Sequence, residues 1–152
     1  MKKFLVKTAI KEVLSLVKLK KDATIYSIKI DLPEEMILFG NKIIFQGILF
    51  KLLEKANQAY CQNIFSNRII LVTAKIENSK VISFSVTHGG KGLSFLEKTI
   101  KTTNFFIFRE NHRNTDLAQI SHALKKEFKG KVEIISKKQK GATFKCYFPL
   151  NQ

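Results

Sequence analysis

The stretch KIIFQGILFKLLEKANQAYC, residues 42–61, decides how the rest of the chain is read. Phe45, Leu49, Leu52, Ala56 and Ala59 recur at alternating spacings of four and three. That periodicity places them on one face of an α-helix and predicts a core stripe along Lys42–Cys61. A neighbouring line on the same helix runs Ile44, Ile48, Lys51, Lys55 and so ends in charge. Two exposed ammonium groups one turn apart repel by only about 0.2–0.5 kcal/mol, so the pair is tolerated with or without an anion between them.

Upstream, Phe4–Leu19 repeats apolar residues at Leu5, Ala9, Val13 and Leu16 or Val17, which predicts a first helix with one buried stripe. From Thr24 the period changes to two, with Ile28, Ile30 and Leu32 sharing a side, until Pro33 stops the strand. Met36–Phe39 reads as a short strand before the Gly40-Asn41 turn. Downstream, Arg68–Ile76 and Val81–His88 read as strands joined by the polar Glu77-Asn78-Ser79-Lys80. Ile82, Phe84, Val86 and His88 share one face, so His88 takes the last inward position of its strand. The cluster Gly89-Gly90-Lys91-Gly92 follows, then an irregular stretch, 94–114, with four phenylalanines. Asp116–Phe128 is helical, with Asp116 near its start and Leu117, Ile120, Leu124 and Phe128 as its stripe, and Gly130 ends it. Val132 and Ile134 belong to a strand, and Ala142, Phe144, Cys146 and Phe148 alternate inward in the last one.

This order predicts one α+β domain over residues 1–152. We expect a two-layer sandwich with a mixed, mostly antiparallel sheet of about five to six strands, covered on one face by three helices. Composition agrees: 152 residues, 45% hydrophobic and 26% charged, with 7 Gly and 2 Pro, describe a globular chain able to bury a core. No apolar run approaches a membrane span, and the amino terminus carries lysines throughout rather than a signal core, so a soluble cytoplasmic protein is expected with no membrane insertion. Cys61 and Cys146 lie far apart without metal-ligand spacing, and the three histidines complete no cluster, so no metal site is assigned.

The net charge of +15 favours an anionic partner, but its distribution is even. Residues 1–76 hold 13 basic and 6 acidic groups, and residues 77–152 hold 14 and 6. Arg68, Arg109 and Arg113 are the only arginines, whereas readers of phosphate and guanine lean on the guanidinium fork. The best nucleic-acid patch is Lys125, Lys126, Lys129, Lys131, Lys137, Lys138 and Lys140.

Several landmarks then fall in a telling order: Asp31-Leu32-Pro33, Gly40-Asn41, Gln46 through Leu52-Leu53-Glu54-Lys55-Ala56-Asn57-Gln58-Ala59, Thr87–Leu93, Phe105-Phe106-Ile107-Phe108, Asn114–Ile120, and Lys140-Gly141-Ala142-Thr143-Phe144 ending in Phe148-Pro149-Leu150. Together they resemble, over nearly the whole chain, the ATP-binding catalytic domain of sensor histidine kinases, the family shared with the gyrase and MutL ATPases. The resemblance implies a Bergerat-like fold. It places a vestigial nucleotide pocket at Lys51, Lys55, His88, Gly90, Gly92, Asn114, Asp116 and Thr143.

The residues at those positions depart from the family's chemistry. Lys55 stands where the family's Asn-box places its magnesium-holding asparagine, and Lys51 where it places a base or its equivalent. His88 replaces the adenine-binding aspartate of the first glycine box, while Gly90 and Gly92 remain. A neutral imidazole accepts one hydrogen bond but lacks the carboxylate's charge and second oxygen. Asn114 and Asp116 replace the glycines of the second box, and Asp116 puts negative charge where a helix amino terminus would receive phosphate. Two readings stay open for Lys51 and Lys55, a solvated face or a counter-charge for phosphate, and two for His88, a strand-closing buried histidine or a contact to adenine or metal. The phenylalanines of the lid region read as core or as a protein-contact patch.

Phe4–Leu19 contains no histidine, so the family's phosphoacceptor hairpin is not expected here. No catalytic residue is assigned. The expectation is a stand-alone pseudo-ATPase domain acting as a binding or regulatory module on a response regulator or kinase-related protein. A metal-independent ATP or ADP binder is the alternative, and a Lys-rich nucleic-acid-binding protein a second one.

Overall fold

The computed structural model describes residues 2–18, 27–60, 69–89, 115–137 and 141–150. Its elements are β1 (Lys3–Leu5), α1 (Val6–Lys18), β2 (Ser27–Asp31), β3 (Ile37–Phe39), α2 (Lys42–Tyr60), β4 (Ile69–Glu77), β5 (Val81–His88), α3 (Thr115–Ala123), β6 (Lys131–Lys137) and β7 (Gly141–Pro149). A π-helical turn, Leu124–Phe128, widens the end of α3.

Five strands form one sheet in the order β2-β4-β5-β7-β6. Only β2 and β4 run parallel, since α2 lies between them in the chain and carries it back to the same end. The other pairs are antiparallel, β4 with β5 through the expected hairpin. Strand alternation divides the sheet cleanly. Ile70, Val72, Ile82, Phe84, Val86, Val132, Ile134, Phe144, Cys146 and Phe148 are buried on the face that the helices cover. Thr73, Ser85, Lys145 and Glu133, aligned across β4, β5, β7 and β6, occupy the other. The α+β sandwich with helices on one face is therefore present.

The core centres on α2. Phe45 is buried with its ring 5.4 Å from Phe4, 5.4 Å from Phe84 and 5.7 Å from Phe148. Phe128 meets Phe148 edge-on at 5.0 Å. Of the predicted α2 stripe, Phe45, Leu49, Leu52 and Ala56 are buried, joined by Ile48 and Leu53, whereas the side chain of Ala59 lies outside the described set. Asn41 caps this helix, its Oδ1 accepting the backbone N–H of Ile43 at 2.9 Å and of Ile44 at 3.4 Å. Gly40 (φ 143°) allows that cap to sit against the core, because a Cβ there would lie 2.5 Å from the Phe128 ring. Glu12 fastens α1 to α2 by accepting from Gln46 at 2.6 Å and from Lys42. These bonds, Gln46 first, hold its carboxyl below the usual range.

One element differs from the sequence reading. Lys3–Leu5 is a strand, paired antiparallel with β3, and the helix begins at Val6. Leu5 is consequently exposed, and the buried stripe is Val6, Ala9, Ile10, Val13 and Val17, with Leu16 in solvent. Leu5 had fitted the helical period only because β1 runs directly into α1. The ribbon β1–β3 forms a separate two-stranded sheet.

Candidate functional site

The carboxyl half of α2, the end of β5 and the start of α3 carry the predicted site. Along the second line of α2, Ile48 is buried and Lys51 and Lys55 are half-buried, so the line leaves the core as it leaves its apolar residues. The Lys51 ammonium donates to the side-chain carbonyl of Gln119 on α3. That bond spans the two helices and directs the Lys51 charge toward α3. Nothing in the sequence pointed to Gln119, because a polar residue on the outer side of a helix carries no periodic signal. Two residues beyond Lys55, the Asn57 carbonyl oxygen is shut away from solvent. Asn57 therefore does not stand in for the asparagine absent from position 55, since residues two apart on a helix face different ways.

His88 ends β5 between Ile70 of β4 and Ala142 of β7, facing the helices as predicted. It is 4% exposed, with its ring 6.0 Å from Phe144. Burial depresses its pKa to about 4, so the imidazole is neutral at physiological pH. Close packing at this corner depends on Gly141, at φ 95°, where a Cβ would lie 1.9 Å from the His88 carbonyl oxygen.

The remaining predicted residues divide. The Thr143 hydroxyl lies 3.0 Å from that of Thr87, on the sheet face opposite His88 and away from the helices, so it does not join Lys51, Lys55 and His88. Asp116 belongs to the first turn of α3, but its side chain, Gly90, Gly92, Asn114 and the phenylalanines of residues 105–108 lie outside the described residues. Leu117 is buried, a packing position. Lys125, Lys126, Lys129 and Lys131 are exposed, while Lys138, Lys140 and the side chain of Lys137 are not described. Cys146 is fully buried, and burial pushes its thiol up to about 12. Cys61 is outside the described set.

The family implied by the resemblance uses magnesium and ATP, and these residues do not fit the metal. Magnesium takes oxygen ligands, whereas an ammonium group is a donor with no lone pair and repels a divalent cation. Among the described residues no group of three His, Cys, Asp or Glu is arranged to hold a metal. Among the described residues no helix is long and apolar enough to cross a membrane.

No protein-family model matches the chain, and no curated protein matches it in sequence. Solved structures do match. The catalytic domain of histidine kinase ThkA, in a nucleotide-free form, superposes with a TM-score of 0.75 at 18% identity, covering 98% of this chain and 95% of that one. Acinetobacter baumannii histidine kinase AdeS gives 0.74 at 14%, covering 99% of this chain and 68% of that one. Mycobacterial sensor histidine kinase MprB gives 0.72 at 13%, covering 97% and 96%. Likeness at such low identity is a likeness of fold, carried by the sheet order and helix layer described above. The chain has the fold of a histidine kinase catalytic domain.

Proposed function

We propose that this chain is a non-catalytic binding module on a histidine kinase-type ATPase fold, and that its partner is a protein of two-component-type signalling, a response regulator or a kinase-related protein. One observation carries the reading. Two lysines, one of them bonded to Gln119, and a buried neutral histidine occupy the positions that the resemblance assigns to the metal ligand, its neighbouring base and the adenine carboxylate. Each exchange removes an oxygen ligand or acceptor and supplies a donor or a weaker acceptor. A protein partner is supported by the outer face of the β1–β3 ribbon, where Leu5, Ile37 and Phe39 are exposed beside one another.

Calorimetric titration with Mg-ATP and Mg-ADP tests it, and no saturable heat is the expected result. Micromolar affinity that requires magnesium refutes it. Affinity that survives removal of magnesium and is lost in Lys55→Ala establishes the second reading instead, in which Lys51 and Lys55 supply the counter-charge to phosphate without a metal.

A further inference from the structure

A cavity of about 460 Å³ lies on the face of the sheet away from the helices, at the opposite end of β5 from His88. Its floor is Val81, Pro149 and Tyr147, and its rim is Lys80, Lys129 and Lys131. Val81 and Pro149 are cross-strand neighbours, as are Lys131 and Tyr147, so three adjacent strands, β5, β7 and β6, line the cavity.

The three lysines come from separate elements, and the backbone fixes two of them. Lys80 closes the β4–β5 turn, in which Asn78 and Ser79 have φ of 53° and 57°. Its N–H donates to the Glu77 carbonyl at 3.1 Å, and its own carbonyl accepts from the Leu150 N–H at 2.8 Å. Lys129 ends the π-helical turn in the left-handed conformation, φ 53°, with its N–H bonded to the Leu124 carbonyl. The next residue, Gly130, is pressed so closely on β7 that a Cβ would lie 2.0 Å from the Tyr147 carbonyl oxygen.

Charge in the cavity is not balanced from within. The acid lining it, Glu77, is held by Lys145 at 3.3 Å and Lys75 at 3.6 Å. Glu133, 4.0 Å from Lys131, accepts the Tyr147 hydroxyl at 2.7 Å. The ammonium groups of Lys131 and Lys145 lie 5.0 and 5.2 Å from the Tyr147 ring centre. Within the lining itself, Lys80, Lys129 and Lys131 stand against one carboxylate, Glu77, over an apolar floor. A cavity of this size is in the range of small-molecule sites, where apolar walls hold the body of a ligand and a few polar groups orient it.

We infer that this cavity binds a small organic anion in which a phosphate group is joined to an apolar ring. The ring rests on Val81, Pro149 and Tyr147, and the phosphate takes charge-assisted hydrogen bonds from Lys80 and Lys129. The site is independent of the reading of α2 and His88, being on the other face and at the other end of the sheet. Failure of one leaves the other standing.

The test is a titration of the whole ¹⁵N-labelled chain with phenyl phosphate, followed by amide chemical shifts. Saturable changes are expected at Lys80, at Lys129–Lys131 and at Tyr147, with weaker binding of inorganic phosphate and of benzyl alcohol. Lys80→Ala with Lys129→Ala weakens binding at least about fivefold, whereas Lys2→Ala with Lys3→Ala, which removes equal charge elsewhere, leaves it within about twofold. Equal affinity for inorganic phosphate overturns the inference, and so does an equal loss in the two double variants. Tight binding of a single-stranded oligothymidylate across Lys125 and Lys126, without a phenyl phosphate response at Tyr147, overturns it in favour of nucleic acid.

Discussion

Replacing His88 by glutamine separates the electrostatic cost of the buried imidazole from its packing. Histidine titrates at 6.5 when solvated and at about 4 at this position, because burial penalises the charged form. Between those values the unfolded chain binds a proton that the folded chain refuses. Stability therefore rises with pH across the window, is complete above about pH 6.5, and is lost as pH falls toward 4. The full difference corresponds to about 3 kcal/mol, of which about 2.5 kcal/mol is gone by pH 4.5. Urea denaturation of the wild-type chain and His88→Gln at pH 7 and pH 4.5 reads this directly, since the amide does not ionise. Carboxylates such as Glu12 and Glu34, whose pKa values are lowered by their hydrogen bonds to Gln46 and Lys7, titrate in both proteins and cancel in the comparison. The wild type should lose about 2.5 kcal/mol more than the variant on acidification. Equal losses, or an imidazole proton resonance titrating near 6.5, would refute the neutral buried histidine.

Three further predictions test local packing, at Gly141 beside His88, at Gly47 on α2 and at Cys146 in the middle of β7. Gly141→Ala strains a positive φ, by about 1–3 kcal/mol, and drives a Cβ into the His88 carbonyl, so a loss of at least about 2 kcal/mol is expected in urea denaturation. Gly47→Ala, on α2 with open space around it, should instead gain about 0.5–1 kcal/mol. In a Cys61→Ser background, Cys146 should react with an aromatic disulfide reagent at least about a hundredfold more slowly in buffer than in urea, because its thiol is buried and its pKa raised to about 12. Rapid labelling in buffer would show that β7 opens locally.

Periodicity made most of the fold legible. Phe45, Leu49 and Leu52 mark α2 by their spacing, and the alternation Ile82, Phe84, Val86, His88 puts the histidine inward, where the structure buries it. Failure came where two periods coincide. Leu5 satisfies the helical spacing of α1 yet lies in β1, because pairing with Ile37 across the ribbon is a contact 32 residues distant in the chain. The choice between Leu16 and Val17 was likewise open until α1 had a neighbour to pack on.

The site divides in the same way. The residue types at positions 51, 55 and 88 are a property of the chain, and under the resemblance they put two ammonium groups and an imidazole where the family has oxygen ligands. Side-chain alternation along β7 sends Thr143 to the far face, but sequence likeness alone grouped it with His88. Only the packed structure decided that His88 is neutral, since its pKa follows from burial beneath the helix layer. The Lys51–Gln119 bond and the gathering of Lys80, Lys129, Lys131 and Tyr147 around one cavity also belong to the tertiary structure. Local patterns follow from the repeat of each helix and strand, whereas these contacts join residues that only the closing of the sheet and the turns at its end bring together.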